Sequence, residues 1–193
     1  MFDDLVSALS QYHVVLEPDQ NVPEWWAGAP SVVLSKDRTF YLAARMREGN
    51  SPRGKRGYEV RILKSADGHQ FEDAGVPGFE RPALARDPHT GLYRLYGCAG
   101  LDRGWVILKW DDADDPAAFD ARTARPVLVS DYPDDGFVHV TGYKDPVVLW
   151  TRGQWHMFVI GTDRVERIHH FESDDGEKWH RASDRPTVEN SGW

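Results

Sequence analysis

The sequence predicts an all-β chain folded as a β-propeller, and three observations carry the prediction. An X-Pro pair opens an apolar run three times, at Ala29-Pro30-Ser31-Val32-Val33, Arg81-Pro82-Ala83-Leu84 and Asp145-Pro146-Val147-Val148-Leu149, with the prolines 52 and 64 residues apart. Repeats at this spacing belong to propellers and solenoids, not to a single mixed core. Each run leads into segments rich in aromatic and β-branched residues, and the turn pattern Ser-x-Asp-Gly-x-x-aromatic occurs twice, from Ser65 to Phe71 and from Ser173 to Trp179, about two periods apart.

Taken in order, the first element is a short helix over residues 2–10, where Phe2, Leu5, Val6 and Leu9 fall at helical spacing. A strand is expected over Tyr12–Leu16. The X-Pro runs read as the first strands of three units, and Thr39–Arg45, Leu92–Gly97 and Gln154–Gly161 as the second strands. Third strands follow at Tyr58–Leu63, Gly104–Lys109 and Arg167–Phe171. The Asp-Gly turns then supply a short polar side chain and a residue tolerant of positive φ, so that Phe71 and Trp179 start fourth strands. These two turns are read as structural.

Four antiparallel strands per unit, repeated, describe propeller blades. The division expected is an N-terminal helix and strand over 1–27 and blades at 28–77, 78–135 and 136–193, all in one domain. Propellers usually close with four or more blades, so three imply that the chain holds part of one, with uncovered blade edges that a second copy could cover.

Composition fits a soluble globular unit of 193 residues, 40% hydrophobic and with eight tryptophans. A net charge of −8 argues against nucleic acid as a partner, because tracking phosphates takes clustered Lys and Arg. No apolar stretch approaches membrane-spanning length and no signal-peptide pattern opens the chain. The lone Cys98 excludes an intrachain disulfide and fits a reducing, cytoplasmic setting.

The segments Gly142–Trp150 and Gly153–Gly161, with Trp26–Val33 and Tyr41–Arg45, resemble the blades of the five-bladed propeller glycosidases, the superfamily of glycoside hydrolase families 32, 43, 68 and 130. Lys144-Asp145-Pro146 is similar to the Arg-Asp-Pro of families 32 and 68, with one conservative change. The resemblance implies a carbohydrate ligand in an axial pocket and no cofactor. It also implies three carboxylates: one opening the first blade, one in the Asp-Pro of the third, and a Glu one blade further on. Asp145 matches the middle one, which holds sugar hydroxyls or tunes the acid. Ala29 stands where the first should be, and the third would lie beyond Trp193. Glycoside hydrolysis needs two carboxyl groups, so hydrolysis by this chain alone is expected to be weak or absent. Phosphorolytic members instead use phosphate held by basic residues, a role open to Arg45, Arg47 and Arg81.

The candidate catalytic carboxylates are therefore Asp145 and Glu80, and the candidate substrate-binding residues are Trp26, Arg45, Arg47 and Arg81. Glu80 either compensates for Ala29 as a base or pairs with its neighbour Arg81. Trp26 either stacks on a sugar face or fills the space between blades, and Trp25 is read as core. Arg45 and Arg47 share one side of a strand, which allows joint anion binding or neutralisation of Glu80 and Asp145. The four residues Arg45, Glu80, Arg81 and Asp145 are expected to converge, and the arginines to hold Asp145 ionised.

No metal is expected. His169 and His170 point to opposite faces of one strand, and His139, His156 and His180 lack metal-motif spacing. The acidic cluster Asp111–Pro116 lacks the Gly and Glu of a calcium loop and reads as a solvated hairpin. Gly49–Gly57 reads as a long basic hairpin able to overhang the pocket mouth. Two functions follow: a glycosidase-like, carbohydrate-active protein, or a non-catalytic carbohydrate-binding or interaction propeller.

Overall fold

The computed structural model describes Ser7 and residues 12–49, 57–73, 80–101, 104–130, 142–162 and 166–188. Three four-stranded antiparallel sheets follow one another along the chain. The first holds β1 (Trp26–Leu34), β2 (Phe40–Arg47), β3 (Gly57–Ser65) and β4 (Glu72–Asp73). The second holds β5 (Glu80–Arg86), β6 (Tyr93–Leu101), β7 (Gly104–Lys109) and β8 (Arg125–Leu128). The third holds β9 (Tyr143–Thr151), β10 (Gln154–Thr162), β11 (Glu166–Ser173) and β12 (His180–Arg181). Within each sheet every strand pairs with the next in sequence, and the first strands lie side by side, β1 against β5 and β5 against β9. This is the blade arrangement of a partial propeller.

The three X-Pro pairs form one repeated backbone device. Gly28 faces Arg45 and Ser31 faces Ala43, so Ala29 and Pro30 together oppose a single residue of β2. The same extra residue occurs between Glu80 and Ala83 and between Lys144 and Val147. These are β-bulges, where a proline costs no ladder hydrogen bond. The residue before each proline adopts a left-handed conformation: φ is 51° at Ala29, 50° at Arg81 and 56° at Asp145. A side chain there costs about 1–3 kcal/mol, and a residue preceding proline ordinarily prefers extended backbone. Because Ala29 carries the strain as fully as Asp145, the strain belongs to blade construction, and residue identity decides what the bulge presents.

Alternation along β6 builds the two cores between blades. Tyr93 and Leu95 turn toward blade one and pack with Ala43, Ile62, Leu84, Val106 and Trp110. Tyr96 and Cys98 turn the other way and pack with Tyr143, Trp155, Met157, Val159 and Phe171 of blade three. Full burial of one such side chain stabilises by roughly 1.5–3 kcal/mol. Ser31 adds a polar tie between β1 and β5, its Oγ accepting from the Leu84 amide (2.8 Å) and donating to the Leu84 carbonyl (3.3 Å).

Two expectations are corrected. Tyr12–Leu16 is not a strand: Leu16 packs against Leu42, Ala44 and Leu63 on the outer face of blade one, while Tyr12 and Val14 are exposed. The segment is tied down by side chains instead of a ladder, with Asp19 accepting from Tyr58 (2.7 Å) and from Arg61 (2.7 and 2.9 Å). Nor is Asp111–Pro116 a solvated hairpin. Ala113 bridges to Tyr93, Asp112 pairs with buried Lys109 (2.5 Å), and Asp115 caps a 3-10 turn over Pro116–Ala118. Of the expected helix over 2–10 only Ser7 is described, and residues 50–56, His139 and residues 189–193 lie outside the described residues. No helix among the described residues is long and apolar enough to cross a membrane.

Candidate functional site

The site is built where the bulges of β5 and β9 meet the C-terminal end of β2. Arg45, buried on β2, forms an ion pair with Glu80 at the start of β5. The second oxygen of Glu80 accepts from the Gly57 amide at 3.0 Å. A Cβ at Gly57 would lie 2.6 Å from Glu80 Oε1 and 3.3 Å from Arg45 Cδ, so any other residue there would displace the clamped carboxyl. Next along β5, Arg81 reaches out from the bulge and its Nε lies 3.1 Å from Asp145 Oδ1.

The four predicted residues therefore come together, and of the two partners offered for Glu80 it takes Arg45 and not adjacent Arg81. The reason is the bulge, which turns Arg81 toward blade three while Glu80 stays in register opposite Cys98. Cys98 is the buried hinge of the cluster. Its Sγ lies 3.5 Å from the Glu80 carbonyl, accepts from the Asp145 amide at 3.5 Å, and lies 3.9 Å from Asp145 Oδ1. Burial pushes the Cys98 thiol up to about 12, so it stays protonated at neutral pH.

The expectation that the arginines set the direction of the Asp145 titration is corrected. Burial raises its pKa above the usual carboxylate value, outweighing Arg81, Lys144 and Arg45, and the Glu80 charge adds to the rise. Arg81 is too exposed, at 44%, to reverse a desolvation of this kind. Chemically, the cluster offers a carboxylate fixed by Arg45 and a second carboxyl that holds its proton more tightly than a free Asp.

Two candidates stand beside this cluster. The Arg47 guanidinium lies over the Trp26 ring, 4.5 Å from its centroid, so each occupies the other's face. Trp25 is half-buried and packs against Tyr58 with ring centroids 5.7 Å apart. Sequence reasoning missed Cys98 and Gly57. Cys98 could have been found from the β5–β6 register, which sets it opposite Glu80, whereas Gly57 carries no side-chain signal.

No protein-family profile and no curated protein sequence matches the chain. Its fold does match solved structures. One described as a glycoside hydrolase aligns with a TM-score of 0.70 at 14% identity, over 100% of this chain and 67% of its own. A thermostable family-43 glycoside hydrolase aligns with a TM-score of 0.60 at 16% identity, over 85% of this chain and 55% of its own. A family-32 β-fructofuranosidase from Bombyx mori gives 0.59 and 18%, over 84% of this chain and 36% of its own. The chain thus has the fold of part of a glycosidase-type, five-bladed propeller, and it spans between about a third and two thirds of these structures.

Proposed function

We propose that the protein is a carbohydrate-active propeller of the glycosidase type that grips a sugar at the Arg45–Glu80–Arg81–Asp145 cluster. The observation that carries this reading is the Arg81–Asp145 pair, formed by the same bulge position in two successive blades. In this reading Asp145 and Arg81 hydrogen-bond sugar hydroxyls, and Asp145 faces the positive charge that grows at an anomeric carbon. Glu80, clamped by Arg45 and the Gly57 amide, is the candidate base of the cluster. Arg47 serves anionic groups, and a sugar would use the face of Trp26 that Arg47 leaves open.

A second reading, a non-catalytic carbohydrate-binding module, is favoured by Ala29. At the first-blade bulge, equivalent to Asp145, it supplies no carboxyl group. A cytoplasmic location and a self-associating chain belong to the same proposal, the latter because Val32 and Leu34 on blade one and Val147 on blade three are exposed.

The test is calorimetric titration of the chain with a panel of monosaccharides and short glycans, with and without phosphate, alongside aryl-glycoside turnover. Binding that Asp145→Asn weakens at least about tenfold, a loss of ~1.4 kcal/mol, is the expected result. Turnover lost in Glu80→Gln would favour the enzyme, and binding without turnover the module. If no sugar binds, or if Asp145→Asn and Arg81→Met bind as the parent does, the reading fails.

A further inference from the structure

The outer face of blade three carries a cluster that the glycan reading does not use. β10 and β11 pair so that His156 faces Glu172 and Phe158 faces His170. Side chains two apart on a strand share a face, so His156, Phe158, His170 and Glu172 all lie on one side. Trp155, Met157 and Val159 take the other side, against blade two.

The separations suit one ion. His156 Nδ1 and His170 Nε2 are 2.8 Å apart, and Glu172 Oε1 lies 3.7 Å from the first and 4.0 Å from the second. Ligands of a tetrahedral zinc ion, each at about 2.0–2.2 Å, stand roughly 3.3–3.5 Å from one another. The observed distances straddle that edge, so small side-chain rotations bring all three donors to a common centre. His180 on β12 places Nε2 3.9 Å from the second Glu172 oxygen, within reach of a fourth position.

The rings are already positioned. Phe158 lies flat on His170, with 4.5 Å between centroids and 8° between planes, and His156 stacks on its neighbour at 5.1 Å. His156 buries Nε2 in the interior and presents Nδ1 to the cluster. Two imidazoles aimed at one point suit a borderline cation and disfavour calcium and magnesium.

We propose that His156, His170 and Glu172 bind a zinc-type divalent cation, which ties β10 to β11 and, through His180, to the short β12. Two histidines and one carboxylate leave a fourth position, which His180 or water completes.

The test uses the purified 193-residue chain after chelator treatment, titrated with Co²⁺ and then with Zn²⁺ against a chromophoric chelator. One equivalent of Co²⁺ with visible tetrahedral absorption, displaced by Zn²⁺, is expected, together with a rise in Tm on adding Zn²⁺. Glu172→Gln and His170→Gln should each weaken binding at least about tenfold, and circular dichroism would show that both remain folded. His69→Gln, on blade one, should bind as the parent does. No saturable binding below about 1 mM, or equal affinity in the Glu172, His170 and His69 variants, would overturn the proposal and leave the pair a hydrogen bond alone.

Discussion

The Asp-Gly turns of blades one and three are internally the same and externally opposite. In blade one, Ser65 Oγ accepts from the Gly68 amide (2.9 Å), and Asp67 Oδ1 accepts from the amides of His69 (2.8 Å) and Gln70 (2.9 Å). In blade three, Ser173 and Asp175 repeat each bond, to Gly176 (2.8 Å), Glu177 (2.7 Å) and Lys178 (2.8 Å). Yet the first turn is largely exposed, whereas the second is pressed into blade two. Arg94 donates to the Asp175 carbonyl (2.5 Å), Tyr96 donates to the Gly176 carbonyl (2.9 Å), and Glu177 meets Lys109 (2.7 Å) and Arg125 (3.0 Å). The turn is written in its own residues, but its use as a peg is written in the neighbouring blade.

Removing the socket gives the largest expected effect. Arg94 is buried, pairs with buried Asp87 at 2.6 Å and lies 4.5 Å over the Trp155 ring. Arg94→Met would keep the stem packed but strand the Asp87 charge, and taking one partner from a buried pair costs about 3–5 kcal/mol. The expected readout is a large drop in the urea midpoint with little change in slope. A loss below about 1 kcal/mol, the size of an exposed pair, would show that apolar packing alone holds blades two and three together.

The two glycines sharpen the comparison because their backbones match. Gly68 and Gly176 have φ of 76° and 72°, so alanine at either position pays the same left-handed penalty of about 1–2 kcal/mol. Their surroundings differ. A Cβ on Gly68 would touch the Phe40 ring at 3.4 Å, an ordinary contact, whereas one on Gly176 would lie 2.0 Å from Arg94 Nη1 and 2.8 Å from the Tyr96 hydroxyl. Gly176→Ala should therefore cost about 1–3 kcal/mol more than Gly68→Ala, the usual range for overpacking. Equal losses in thermal melts would mean that the peg yields without disturbing its socket.

Features confined to a few neighbouring residues were legible in the sequence, and features set by register or burial were not. The prolines at 30, 82 and 146 marked the first strands, and both Ser-x-Asp-Gly boxes formed the turns they imply. The left-handed backbone of Ala29, Arg81 and Asp145 was hidden, because proline argues for extended geometry at the preceding residue. Both Arg81 and Arg45 stood as partners for Glu80, and the sequence could not choose between them because it does not show how a bulge swings one side chain away from the next. The arginines around Asp145 were expected to favour its charged form, but burial, which no residue list displays, sets the direction of its shift. His156, His170 and Glu172 share no motif spacing and meet only through cross-strand pairing.

The smallest expected effect concerns the turn aspartates, and it should invert the order found for the glycines. Hydrogen bonds from Gln70 and His69, with Ser65, lower the pKa of exposed Asp67 to about 2. Asp175 is also lowered, but desolvation beside blade two opposes the bonds from Lys178, Glu177 and Ser173, so this turn gains less from its charge. Both folded values lie below the unfolded value of about 3.9. Each aspartate therefore contributes stability that is present above pH ~4 and is lost as the pH falls through its folded pKa. Asn keeps the accepting oxygen and removes the charge. Asp67→Asn should lower stability at pH 7 and converge on the parent as the pH approaches 2, and Asp175→Asn should show the same convergence with a smaller gap at pH 7. Thermal melts at pH 7, 4 and 2.5 check this. A gap independent of pH would mean that the turns use the oxygen and not its charge, and a larger gap at Asp175 would mean that the socket on blade two favours the charged peg.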